Sequence, residues 1–237
     1  MSKMSRTRID WRTAAQKYGT ICGFFVLCIV FSFLTDSFLT FNNLITVMRQ
    51  ISMITIIASG LTFVAVAGEI DLSVGSMAGL IGMLVAGSLR AGWGTPLAIL
   101  FGLCMGVIAG TFNGLCVSYV GVPSFITTLA TGTIALGLNY MYSGGKPIYE
   151  NIPDGFLTIG QGYVGAIPVP VILMLVVLAL AHILLTKTRT GRHVCAIGGN
   201  AEAARMCGVN VKVLKAAVFA LAGLTAAGAG IVMTSRL

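Results

Sequence analysis

Between Asp36 and Glu150 the chain carries only two carboxylates, Glu69 and Asp71, and long apolar runs flank them on both sides. A soluble domain has roughly a quarter of its residues charged. Here 9% are charged and 57% hydrophobic, which excludes an ordinary globular protein. The apolar runs, each about 17–24 residues long, are sufficient to cross a hydrocarbon core of about 30 Å as helices. Many of the 30 glycines fall inside those runs, as suits membrane helices better than water-soluble ones. The expected fold class is therefore an all-α polytopic membrane protein, a bundle of about seven transmembrane helices.

Spans are expected at 18–34, 51–67, 72–89, 96–118, 123–143, 167–185 and 216–234. Residues 18–34 are too long for a signal-peptide core and lack its cleavage site, so they read as a retained first span. The domain organisation is a single transmembrane domain over 1–237, with a basic tail at 1–17 and a polar segment at 186–215. The tail holds Lys3, Arg6, Arg8, Arg12 and Lys17, and the segment holds Lys187, Arg189, Arg192, Arg205, Lys212 and Lys215. Six spans separate the two, so both fit the cytoplasmic side and the N-terminus is expected there; Arg49, Arg90, Lys146 and Arg236 then fall outside. This placement beside apolar runs, despite a net charge of +8, argues for membrane topology and against a nucleic-acid partner.

Shorter features complete the pass. "SFLTFNNLITVMRQIS" spaces Leu44, Ile45, Val47, Met48 and Ile51 as a short interfacial helix leading into the second span, with Asn42 or Asn43 as its cap. The loop 143–168 is rich in glycine and proline and carries Tyr149, Phe156 and Tyr163, fitting an ordered external segment at headgroup level. Six scattered cysteines show no CxxC pair and no histidine at metal spacing, so they read as packing residues, and no metal site is expected.

The two carboxylates fall in the turn between the second and third spans, at or slightly within the cytoplasmic boundary. Asp71 precedes a helix and can accept from the N–H groups of Ser73 and Val74 while facing the positive end of its dipole. Two readings stand for Glu69: it reaches cytoplasmic water, or it pairs with a basic group of another segment and moves with it. A proton-coupled role stays open for either acid.

In the fourth expected span, Gly102, Gly106, Gly110 and Gly114 recur every fourth residue and form a flat stripe that lets another backbone approach closely. Asn113, with Thr127, Thr128, Thr131 and Asn139 on the next span, offers uncharged hydrogen-bonding groups. These either touch a hydroxylated substrate along a path or bond a neighbouring helix.

"KTRTGRHVCAIGGNAEAARMCGVNVKVLK" (187–215) is the longest charged stretch. Gly198 and Gly199 are expected to break the chain, Asn200 to cap a two-turn helix over 201–207, Glu202 to suit its dipole, and Gly208 to end it. So short a helix is unstable alone and needs something to pack on. It is either a solvated connector or a docking helix for a cytoplasmic partner, and the second is the stronger reading. No G-x-x-x-x-G-K-[ST] occurs, so the chain cannot hold nucleotide phosphates in the P-loop manner. His182 and His193 have no Ser, Cys or acid at suggestive spacing, so no catalytic set is assigned and the chain is not expected to be an enzyme.

"GEIDLSVGS", the "NG…VPSFITTLAT" run of 113–131, and "TRTGRHVCAIGGNAEAARMCGVN" followed by "VKVLK" together resemble the permease subunit of bacterial ABC importers for ribose and related simple sugars. The resemblance runs from "FLTFNN" to the end. It implies a transport subunit of the inner membrane, without a cofactor of its own, energised by an ATP-binding cytoplasmic subunit, fed by a periplasmic sugar-binding protein and paired with a second permease copy. Glu202, Ala203 and Ala204 with Gly208 look like the coupling motif that sits in a groove of the ATPase. On that resemblance the coupling region comprises Gly191, Arg192, Gly198, Gly199, Asn200, Glu202, Ala203, Ala204, Arg205, Gly208 and Lys215. The family motif at the cytoplasmic turn comprises Glu69, Asp71, Ser73, Gly75 and Ser76. The family usually has glycine where Glu69 stands, and its permeases continue beyond "MTSRL", so the C-terminal spans are expected to be missing here. The alternatives are a proton-coupled secondary transporter using Glu69 or Asp71, and an intramembrane enzyme depending on His182. Pentoses, hexoses and sugar-derived signals all remain open as cargo.

Overall fold

The computed structural model describes residues 11–236, with side chains from residue 18 onward. Lys3, Arg6 and Arg8 of the expected tail lie outside the described residues, and the side chains of Arg12 and Lys17 are likewise not described. The chain divides into two compact units, Met1–Val47 and Met48–Leu237. Their boundary falls within the second helix.

The first unit contains α1 (Trp11–Leu34), a short turn and the beginning of α2 (Phe41–Val66). Phe31 and Phe38 stack at 5.9 Å across the turn. The expected interfacial helix is not separate: α2 runs uninterrupted for 26 residues, because no proline stands at its start to divide it. Neither asparagine caps it. Thr40 Oγ1 accepts from the Asn43 N–H at 3.4 Å, while Asn43 Nδ2 donates to the Phe38 carbonyl at 2.8 Å.

In the second unit follow α3 (Val74–Arg90), α4 (Thr95–Leu115) with a π-helical turn at Cys116–Val120, and α5 (Ser124–Ser143). Next come α6 (Asp154–Gln161), the two-stranded hairpin β1 (Tyr163–Val164) and β2 (Ile167–Pro168), and α7 (Val169–Lys187). Two short helices, α8 (Arg189–Gly199) and α9 (Ala201–Met206), lead into α10 (Val211–Thr234). Each expected span coincides with a helix. Among the described residues four helices are both long and apolar enough to cross a membrane: α2, α4 with its π turn, α7 and α10. Two shorter apolar segments are Tyr18–Leu34 and Val74–Arg90.

The core of this unit is α10. Its buried face, including Phe219, Ala222, Gly223, Ala226, Ala227 and Gly230, packs on α3 and α4. Within lipid, apolar side chains gain little from meeting other apolar side chains, so helix pairing depends on close packing. Small residues supply it. A Cβ on Gly110 would stand 2.2 Å from the Phe219 carbonyl oxygen, one on Gly114 would stand 2.6 Å from the Ala216 Cα, and one on Gly223 would stand 2.1 Å from the Gly106 carbonyl oxygen. The glycine stripe therefore lies directly against α10, while Gly102 faces Val85 and Ile81 of α3.

Of the three aromatics read in the loop after α5, one is not at its surface. Tyr149 and Tyr163 are exposed, but Phe156 is fully buried against the α3–α10 core. The amphipathic helix α6 turns it inward. Arg49 donates to the Gln161 carbonyl at 2.8 Å and lies 4.8 Å from the Tyr163 ring centre, and Gln161 Nε2 donates to the Arg236 carbonyl at 3.5 Å. Arg49 and Arg236, assigned to one side by charge counting, thus share one end of the unit. The six cysteines are free thiols and none is buried, so they are not core packing.

Candidate functional site

The strand-like turn 67–73 between α2 and α3 gathers most of the polar groups read from the sequence. Asp71 is 4% exposed. Its Oδ1 accepts from the Ser73 N–H at 2.8 Å and from Ser73 Oγ at 2.6 Å. These bonds offset part of the cost of burying the carboxyl group. The expected second bond, from Val74, is absent; an Asx turn on Ser73 replaces the helix cap. Ser73 Oγ in turn accepts from Asn113 Nδ2 at 3.0 Å, extending the chain of bonds into α4.

The first turns of α5 hold the other edge of this segment. Ser124 Oγ accepts from the Ile70 N–H at 3.2 Å, and Thr128 Oγ1 accepts from the Leu72 N–H at 3.0 Å. Gly132 passes so close that a Cβ would stand 3.2 Å from the Ser73 Cα. Asn113 and Thr128 therefore bind the turn, Thr127 and Thr131 bond carbonyls of their own helix, and Asn139 lies elsewhere. Gly75 is exposed and Ser76 half-buried, one turn into α3. Ser124 was missed as a positioning group. Its place directly after Pro123, where a helix must begin, was the available signal.

Glu69 makes the pairing that its second reading called for. It forms an ion pair with Lys215 in the second turn of α10, with side chains 13% and 22% exposed respectively. The bond joins residues 146 positions apart and ties the turn to the polar segment.

That segment is more ordered than its sequence implies. Gly198 and Gly199 do not break the chain; α8 runs through both and stops at Asn200, whose backbone is extended at φ −160°. Gly198 is instead a close-approach residue. A Cβ there would stand 1.8 Å from the Val66 carbonyl oxygen, so only glycine lets α8 pack on the end of α2. Gly191 acts likewise against the Leu185 carbonyl oxygen at 2.1 Å, where α8 folds back from α7. Thr188 caps α8 by accepting from the Gly191 N–H at 3.1 Å.

Helix α9 has the cap and stop read from its sequence. Asn200 Oδ1 accepts from the N–H groups of Glu202 and Ala203 at 3.0 and 2.9 Å, and Gly208 ends the helix at φ +82°, a conformation costly for residues with a Cβ. Ala204 packs with Ile197 and Val211 in a small core of its own. The opposite face, with Glu202, Ala203, Arg205 and Met206, is exposed, Met206 at 85%. The basic residues do not all surround α9: Arg192 and Arg205 are exposed, Lys215 turns inward to Glu69, and Lys212 lies 5.4 Å from the Tyr119 ring centre. Among the described residues no group of His, Cys, Asp or Glu could hold a metal ion.

The geometry is that of a helical membrane component with a small capped helix offered at one end and bonded to the spans beneath. A family model described as the permease component of the branched-chain amino acid transport system matches residues 43–237. The chain belongs to this family. It is a transport component of an ABC importer and not an enzyme. The ribose import permease protein of Bacillus subtilis is 42% identical to it, across 97% of this chain and 72% of the relative. That of Haemophilus influenzae is 38% identical, across 90% and 67%. The xylose transport system permease protein of Escherichia coli is 31% identical, across 94% and 72%. No solved structure matches. These kinships do not favour the proton-coupled alternative.

Proposed function

We propose that the chain is the membrane subunit of an importer for a monosaccharide, driven by ATP bound in a separate cytoplasmic subunit that docks on α9. The observation that carries this reading is the exposed face of α9, on a helix too short to persist without its cap and its small core. The ribose and xylose permeases among its relatives point to a sugar as cargo. Seven helices cross the inner membrane, the N-terminus and α8–α9 lie on the cytoplasmic side, and a second copy completes the path. A sugar-binding protein delivers cargo to the outer face, and no cofactor is held by this chain.

Displacement of α9 by the ATPase reaches the spans by two routes. One is α10, continuous with the segment and packed through the bundle. The other is Glu69–Lys215, which carries motion to the 67–73 turn and, through Ser73, Ser124 and Thr128, to α4 and α5. The bundle then shifts between outward- and inward-closed states. Replacing Glu202 with Lys tests the docking. The ATP-binding subunit is expected to separate from detergent-solubilised complexes and ATP-driven sugar uptake to fall; unchanged co-purification with unchanged uptake overturns the reading.

A further inference from the structure

A groove of about 260 Å³ lies between α2, α7 and α10, with Ile56, Phe63, Leu103, Leu180, Leu184 and Leu221 among its walls. Ile56 and Phe63 at its floor are buried, whereas Leu180 at its rim is 62% exposed, so the groove opens on the side of the unit. Its two hydroxyls have no donor to offer a polar solute. Ser59 Oγ donates to the Thr55 carbonyl at 2.8 Å, and Thr225 Oγ1 donates to the Ala222 carbonyl at 3.0 Å. The other walls are aliphatic or aromatic side chains and glycine. A ligand that fits them is hydrocarbon.

Depth and charge narrow the choice of hydrocarbon. On α2 the lining reaches Phe63, three residues short of Val66, and on α7 it reaches Leu184, three short of Lys187. The groove therefore starts about 5 Å inside the ends of both helices, the depth at which acyl chains begin beneath their headgroups. Lys187 follows Leu184 by three residues, which puts it on the same face of α7, one turn nearer the helix end. It is exposed, as is Arg189 just beyond it. Between Asp154 and Glu202 the sequence holds no carboxylate, and among the described residues neither cation is in an ion pair. Unpaired positive charge above an apolar groove complements a phospholipid that carries net negative charge. A second protein helix would instead call for small residues along the rim, and Val177, Leu180 and Leu184 are bulky.

We infer that this groove takes an acyl chain of an anionic phospholipid, whose phosphate pairs with Lys187 and Arg189. Such a site requires only that α2, α7 and α10 span a bilayer, and it is independent of the cargo. The test uses the full chain in phosphatidylcholine vesicles containing phosphatidylglycerol, with one lipid or the other brominated on its acyl chains to quench a nearby indole. The two tryptophans, Trp11 and Trp93, are replaced by phenylalanine, and Leu180→Trp supplies the reporter. Phosphatidylglycerol is expected to occupy the reporter's surroundings with about threefold preference or more. Leu178→Trp, at an exposed α7 position outside the groove, is expected to show no preference. Lys187→Gln combined with Arg189→Gln should abolish the preference at position 180, and Lys187→Arg should keep it. Equal quenching by both lipids at 180, an equal preference at 178, or a preference untouched by the double substitution overturns the site. Quenching by neither lipid at 180 would show that protein, such as a second copy, covers the groove, and overturns it too. Neither sugar nor ATP enters the measurement, so its failure leaves the importer reading intact.

Discussion

Helices α7 and α10 are both long and apolar enough to cross a bilayer, yet α10 is the core of its unit and α7 buries only Pro170. Hydropathy qualifies both as spans, and the more apolar of the two is the less buried; residue size accounts for the difference. The body of α7 is mainly Val, Ile and Leu, whereas α10 alternates alanine and glycine with a few large residues. A large apolar side chain is as well solvated by lipid as by protein, but a glycine against a carbonyl gains packing that lipid cannot supply. Small residues therefore mark the buried span, and bulky ones mark the face left for lipid or for other protein segments.

The largest effect that would break this contrast is expected at Gly223. Gly223→Leu drives a side chain into the Gly106 carbonyl and is expected to cost about 3 kcal/mol or more, read as a collapse of the thermal midpoint in detergent. A near-normal midpoint would show that α10 is not the tightly packed core. Glu69→Gln sharpens the comparison near the start of α10, at an ion pair for which α7 has no counterpart. Loss of the partly buried pair is expected to cost about 1.5–3 kcal/mol, and adding Lys215→Met should recover part of it in a double-mutant cycle. Strict additivity of the two changes would show that the pair does not couple. The smallest effect is expected on α7, where Leu180→Ala at an exposed site should change stability by less than about 0.5 kcal/mol; a large loss would place α7 in the core as well.

The helices were legible from the sequence because apolar length and the glycine stripe are local signals. Their boundaries were less so. A separate interfacial helix needed a break before the second span, and no residue there enforces one. Helix α8 was hidden by its own glycines. Gly198 and Gly199 read as breakers, yet both remain helical, and Gly198, like Gly191, is selected for having no side chain by tertiary contact, with the Val66 and Leu185 carbonyls respectively. Phe156 read as an interfacial aromatic because only the fold reveals that α6 turns it into the core. At the candidate site, the capped helix α9 was visible in Asn200 and Gly208, both acting on neighbouring residues. The partner of Glu69 was not, since Lys215 lies in another helix far along the chain and several basic residues were equally available.

Everything in the functional account depends on α9 offering its outer face to a cytoplasmic motor while α7 does not. The direct measurement is site-directed crosslinking in a cysteine-free background, comparing Met206→Cys on α9 with Leu180→Cys on α7. The account predicts an adduct with the ATP-binding subunit from position 206 and none from position 180. No adduct from 206, or equal adducts from both, would contradict it.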